Sequence, residues 1–198
     1  MKIVGISCSP RKGKSTKYAL EVCLQAVKEM VPDIETMLIE LSDMKMNGCV
    51  ACGKCVKVLE CSQEDDFPKM IPVLSDPEVA GLVVATPVYF GSMTSQCKAF
   101  LDRCVMFRRN GFLLRDKVGG VIAVGGVRNG GQELAIQAVQ AAMLVQDMVV
   151  VSEGRPTSHY GATLWSGHPD GIEKDTFGLE TAQNLGKRVA EVAARMHR

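Results

Sequence analysis

The sequence predicts an α/β fold, a parallel sheet covered by helices. Two observations carry this. Short β-branched runs alternate with longer segments of helical period, the pattern of consecutive βαβ units. The run Gly81-Leu82-Val83-Val84-Ala85 is almost continuously apolar, as strands buried on both faces are. With 198 residues the chain has the length of one ordinary domain and enough material for a full core. It reads as one domain over residues 1–198, with a cysteine-rich insertion at about 43–66.

Five strands are expected, at Lys2 to Ser7, Glu35 to Glu40, Gly81 to Thr86, Val118 to Val124 and Met148 to Val151. The first helix begins near Ser15 and Thr16 and keeps Ala19, Leu20, Cys23, Ala26, Val27 and Met30 on one face, ending before Pro32. The cysteine segment follows the second strand, and the acidic run Glu64-Asp65-Asp66 is expected to cap a short helix from Phe67 to Leu74. Later helices are expected from Thr94 to Phe107, Gly131 to Gln146 and Thr176 to Met196. Residues 154–175, rich in Gly, Pro, Ser and His, are long for a structureless loop and suggest a lid or an oligomer contact.

The formal net charge is +1 with both signs interspersed, which argues against nucleic-acid and membrane-surface partners. The chain passes from Met1 straight into a strand pattern, without a signal-peptide core or an apolar run long enough to span a membrane, so a cytoplasmic protein is expected. Cys8, Cys23, Cys97 and Cys104 are isolated and read as small buried hydrophobes.

The other four cysteines, Cys49, Cys52, Cys55 and Cys61, fall within thirteen residues. Two-residue gaps let a short loop wrap thiolates around one face of a cubane, with a fourth from slightly further on. Gly48 and Gly53 would supply the backbone freedom. Structural zinc usually takes two separated pairs, disulfides need an oxidising compartment, and four free thiols would leave reactive groups without purpose. These alternatives fit less well than one 4Fe-4S cluster.

Three further loops fall at the carboxyl ends of strands, where parallel sheets bind ligands. The first, Ser7 to Thr16, joins hydroxyls and cationic side chains to a helix N-terminus, suited to a phosphate. Its Gly13-Lys14-Ser15 ending suggests a triphosphate loop, but Cys8 stands where that pattern needs glycine. An ordinary polar turn remains the simpler alternative for this loop alone. The second, Thr86 to Thr94, offers aromatic surface to a planar ring. The third, Gly125 to Glu133, has glycines that let N–H groups approach a heterocycle edge. Together the three point to flavin mononucleotide (FMN).

Four motifs, Gly5-Ile6-Ser7-x-Ser9-Pro10-Arg11-Lys12, the cysteine quartet, Pro87-Val88-Tyr89-Phe90-Gly91-Ser92-Met93, and Gly125-Gly126-x-Arg128-x-Gly130-Gly131-Gln132-Glu133, give the chain a likeness over nearly its whole length. It resembles the iron-sulfur flavoproteins, the cluster-bearing branch of the flavodoxin-like NAD(P)H-dependent FMN reductases. The resemblance implies a flavodoxin-like three-layer sandwich with strand order 2-1-3-4-5, bound FMN, one 4Fe-4S cluster held by Cys49, Cys52, Cys55 and Cys61, and homodimers that often pair into homotetramers. Phosphate contacts carry over to Ser9, Arg11, Ser15 and Thr16, with Lys14 beside them; ring contacts carry over to Pro87, Tyr89, Phe90, Gly91 and Ser92, with Val88 between them. Gly125, Gly126, Arg128, Gly130 and Gly131 complete the expected cofactor site. Cys8 and Ser15 depart from the glycine and asparagine such phosphate loops often carry.

The expected function is an electron-transfer oxidoreductase in which a donor such as ferredoxin feeds the cluster and FMN reduces dioxygen, peroxide or a quinone, with no side chain singled out as catalytic. A cluster passes single electrons and a flavin one or two, so the pair converts between the two kinds of chemistry. The alternatives are an NAD(P)H-dependent FMN or quinone reductase and a non-enzymatic flavodoxin-like carrier. Lys54 and Lys57 are read as charge-offsetting or plain surface lysines, Arg103, Arg108 and Arg109 as complements to a helix dipole or an oligomer contact, and His159-Tyr160 as a loop pair that could approach the flavin.

Overall fold

The computed structural model describes residues 1–197. Strands β1 (Lys2–Ser7), β2 (Glu35–Glu40), β3 (Val79–Pro87), β4 (Val118–Gly125) and β5 (Val149–Val150) form a parallel sheet in the order β2-β1-β3-β4-β5. This is the order the resemblance implies. The register sets Ser7 opposite Glu40 and Ala85, and Pro87 opposite Val124, so the three expected ligand loops leave the sheet along one edge.

The sheet has six strands, not the expected five. β5 pairs only with Val118 and Gly119, and further along β4 its place is taken by β6 (Ala162–Trp165), opposite Ile122 to Gly125. Residues 154–175 are therefore not a structureless loop. β6 leaves no mark in the sequence pattern because four residues framed by Gly161 and Gly167 are too few to show a period.

Helices cover both faces. On one, α1 (Ser15–Met30) and α6 (Thr176–Met196) bury Leu20, Cys23, Leu185 and Val189 against Ile3, Val83 and Ile122. On the other, α2 (Met70–Leu74), α3 (Ser95–Arg103), α4 (Val105–Arg109) and α5 (Gln132–Val145) pack around Phe67, Phe100 and Phe107. The three rings lie tilted to one another, with centroids 6.3 and 6.4 Å from Phe67. Phe67 thereby ties the end of the cysteine segment into the core.

The single helix expected from Thr94 to Phe107 is two. At Cys104 the backbone N–H is shared between the carbonyls of Phe100 and Leu101, a tightening that interrupts the α-helical ladder before α4 resumes. Cys8, Cys23, Cys97 and Cys104 are buried as expected, and burial pushes the Cys23 thiol pKa up to about 12. Among the described residues no helix is long and apolar enough to cross a membrane.

Candidate functional site

The first loop presents a helix N-terminus free of its own side-chain caps. Lys14, the residue before α1, makes no capping hydrogen bond, and the first turn holds no acidic residue. Its N–H groups and positive dipole end can therefore take an anion. Ser9 and Thr16 are buried, Ser15 half-buried, and Arg11 and Lys14 exposed around them. Ser9 Oγ accepts from Arg11 N at 3.1 Å, Gly13 N donates to Glu40 Oε2 at 2.9 Å, and Lys12 pairs with Asp43, tethering the loop to the end of β2. The Ser7 hydroxyl, at the loop's base, is buried without a partner. These residues fit a phosphate.

The second loop is a tight turn. Tyr89 and Ser92 exchange N–H···O bonds of 2.9 and 3.1 Å, while Phe90 and Gly91 take left-handed conformations. Phe90 is fully exposed and Tyr89 half so, an aromatic tip open to a ring. Thr94 Oγ1 donates to the Cys8 carbonyl at 2.8 Å and accepts from Cys97 N, so the first two loops share one anchor.

The third loop folds around Gln132, whose amide donates to Val127 O at 2.7 Å and accepts from Gly130 N at 2.8 Å. Trp165 Nε1 donates to Gly126 O, and Ser166 donates through both N and Oγ to Gly125 O. With those carbonyls engaged, N–H groups are what the loop can offer a ligand. Gly131, at φ 93°, lies so close to the second loop that an added Cβ would sit 3.1 Å from Gly91 Cα. The three expected loops thus meet, the first two through Thr94 and Cys8 and the last two through Gly131 and Gly91. Arg128 pairs with Asp175 and stands over Trp165. His159 borders the same recess as Arg128 and Gly131, hydrogen-bonded through Nδ1 to buried Glu153 at 2.7 Å, whereas the exposed Tyr160 receives Gln140 on its carbonyl.

Cys49, Cys52, Cys55 and Cys61 line one pocket with Arg103, Val105, Met106 and Arg109. Of the two glycines expected to shape the loop, Gly53 is left-handed, but Gly48 is not, and Ala51 takes the second left-handed position. The acids before Phe67 cap only in part: the expected helix from Phe67 begins as a 3-10 turn, Phe67–Lys69, before α2, and Asp66 at its N-cap position makes no side-chain capping bond. Asp65 accepts from Phe67 N at 3.2 Å, but also from Asn47 N at 2.9 Å and from the buried Arg103, and Asp66 accepts from Lys45 N at 2.7 Å. The two ends of the cysteine loop are thereby stapled together. Burial works against the Asp65 carboxylate, yet hydrogen bonds from Arg103 and the two N–H groups outweigh it and hold its pKa below the usual range.

Three thiols have polar partners. Arg103 Nη2 donates to Cys61 Sγ at 3.1 Å, Arg109 Nη1 donates to Cys55 Sγ at 3.2 Å, and Cys52 Sγ lies 2.9 Å from Ser62 Oγ. The Ser62 contact and the Lys54 N–H lower the Cys52 pKa, favouring its thiolate. Arg108 and Arg109 do lie in the last turn of α4, as dipole complements should. The turn of Arg103 and Arg109 toward sulfur was not legible, because nothing in the sequence relates residues 103 and 109 to the loop. Lys54 is paired with Glu60 at 2.9 Å.

No three His, Cys, Asp or Glu side chains among the described residues are gathered so as to hold a single metal ion. Four thiols around a pocket, none accompanied by a histidine, fit a polynuclear cluster liganded at its corners.

A model of a family described as NADPH-dependent FMN reductase matches residues 1–163. An iron-sulfur flavoprotein of Methanocaldococcus jannaschii is 42% identical over 97% of both chains, and one of Methanosarcina thermophila is 37% identical over 97% of this chain and 95% of its own. Among solved structures, a flavodoxin, WrbA-like protein from Agrobacterium tumefaciens superposes with a TM-score of 0.69 at 20% identity over 98% of each chain. RosB, solved with a bound 8-demethyl-8-formylriboflavin-5'-phosphate, gives 0.74 at 17% identity, covering all of this chain and 80% of that one. These two likenesses concern the fold alone.

Proposed function

The chain belongs to the NADPH-dependent FMN reductase family, among its iron-sulfur flavoproteins, and from that premise we propose that this oxidoreductase takes FMN and one 4Fe-4S cluster and moves electrons from a protein donor such as ferredoxin to dioxygen, peroxide or a quinone. The observation that carries the reading is the pocket of four cysteines faced by two arginines, in a chain whose sheet edge also offers an uncapped helix N-terminus and two converging loops.

Bound there, the cluster would supply one-electron and the flavin one- or two-electron chemistry. Ser9, Arg11, Lys14, Ser15 and Thr16, with the first N–H groups of α1, hold the phosphate. Pro87, Val88, Tyr89, Phe90, Gly91 and Ser92 form the ring platform. The backbone of Gly125, Gly126, Gly130 and Gly131 would face the flavin, and the loop's N–H groups other than that of Gly130, which Gln132 holds, would stabilise negative charge there without reorganising. Arg128, tied to Asp175, orders that loop. Cys49, Cys52, Cys55 and Cys61 ligate the cluster. Exposed Leu134, Leu144 and Val145 along α5 support assembly into dimers or tetramers, in which the partner acceptor for an electron is the same subunit's flavin or a neighbour's.

The family model's NADPH dependence favours a second reading, direct hydride transfer to the flavin. Rapid mixing separates the two. Reduced ferredoxin is expected to bleach the protein faster than NADPH does; faster reduction by NADPH, with the cluster absorbance untouched, would favour the second.

A further inference from the structure

The two arginines that face the cysteine pocket differ in electrical state. Arg103 is buried at 3% exposure and paired with Asp65, which has no side-chain exposure. It also reaches Asn47 O at 3.3 Å and lies 4.4 Å from the centroid of Phe67. Its positive charge is cancelled locally, and its contacts fix where Cys61 stands. Arg109 donates to Cys55 Sγ at 3.2 Å and forms no ion pair among the described residues. Asn110, the next residue, donates to the Cys55 carbonyl at 2.9 Å, so the same short stretch holds Cys55 by backbone and by sulfur. Of the loop's two lysines, Lys54 is neutralised by Glu60, and Lys57 is exposed and makes no hydrogen bond to a ligand sulfur among the described residues.

A cluster with four thiolates is anionic and gains one more negative charge on reduction. Its potential follows net charge, hydrogen bonds to sulfur and exposure. A guanidinium cancelled by a carboxylate adds little to that balance, whereas an uncancelled one bonded to a ligand sulfur favours the more negative, reduced form. We propose that Arg109, through its hydrogen bond to Cys55, raises the reduction potential of the cluster, while the Arg103–Asp65 pair only positions Cys61. This makes Arg109 a positioning and tuning residue on the route by which electrons enter. The inference rests on the cluster reading above.

The test is a redox titration followed by electron paramagnetic resonance on anaerobically purified wild type, R109Q, R109L, R109K and D65N, with iron, sulfide and flavin measured per chain. R109Q and R109L are expected to keep full iron and sulfide but to show a lower midpoint than wild type, with R109K closest to wild type; D65N is expected to lose cluster content. Fully loaded R109Q and R109L with the wild-type midpoint would overturn the proposal. So would loss of iron and sulfide from R109Q with flavin retained, which would make Arg109 a structural clamp. Wild type without iron and sulfide would instead overturn the cluster reading itself.

Discussion

Asp65 staples the two ends of the cysteine loop together. It accepts from Asn47 N, Phe67 N and Arg103 at once, in a setting with no side-chain exposure. Removing it strands a buried guanidinium, and unbalanced buried pairs cost about 3–5 kcal/mol. D65N should therefore lower unfolding stability by several kcal/mol in urea titration, whereas D66N, at a half-exposed pair with Lys69, should cost less than about 1 kcal/mol. The pH sign follows from the depressed pKa of Asp65. Its stabilisation is fully present above the unfolded carboxylate value of about 3.9 and is lost as pH falls through its lower folded value. Wild type should show this loss of stability below about pH 4, and D65N should lack it. The charge run Glu64-Asp65-Asp66 was legible as a helix start; its second task was not, because a carboxylate that staples two loop ends looks the same in sequence as one that caps.

At the scale of elements, the flavin-type site depends on how closely α5's leading loop meets the turn after β3. Gly131 is left-handed, which costs a residue with a Cβ about 1–2 kcal/mol, and a Cβ would press on Gly91 Cα, which is backbone and cannot swing aside. G131A should fold with about that loss of stability and bind FMN at least about tenfold more weakly, read by quenching of FMN fluorescence on titration with apoprotein; an unchanged affinity would detach the loop from the site. β6 supports the same loop from behind through Trp165 and Ser166. Strands β1 to β4 and the long helices were legible because their periods run for many residues. β5 was legible too, though only Val149 and Val150 of the expected Met148 to Val151 pair; β6 and the break at Cys104 were not, since one is fixed by pairing across the sheet and the other by one shared N–H. The supporting roles of Gln132 and Trp165 belong to the same class: a side chain that folds a loop leaves no spacing to read.

Across the whole molecule, the cysteine pocket is built from the segment after β2 with α3 and α4, and the flavin-type site from the loops after β1, β3 and β4. The two sites share the start of α3 at Thr94 and otherwise draw on different segments, which makes them separable. C55A is expected to lose the cluster and keep FMN with unchanged affinity; loss of both would show one site leaning on the other. The sequence offered the candidate residues of both sites, four cysteines and three loops, but not the arginines, which are brought to sulfur only by the fold. The most direct test of the account is the visible spectrum of anaerobically purified protein with iron, acid-labile sulfide and flavin analysis on the same sample. The account predicts flavin bands over a broad cluster absorbance, with iron and sulfide equal and at 4Fe-4S stoichiometry. A pure flavin spectrum without iron would contradict it.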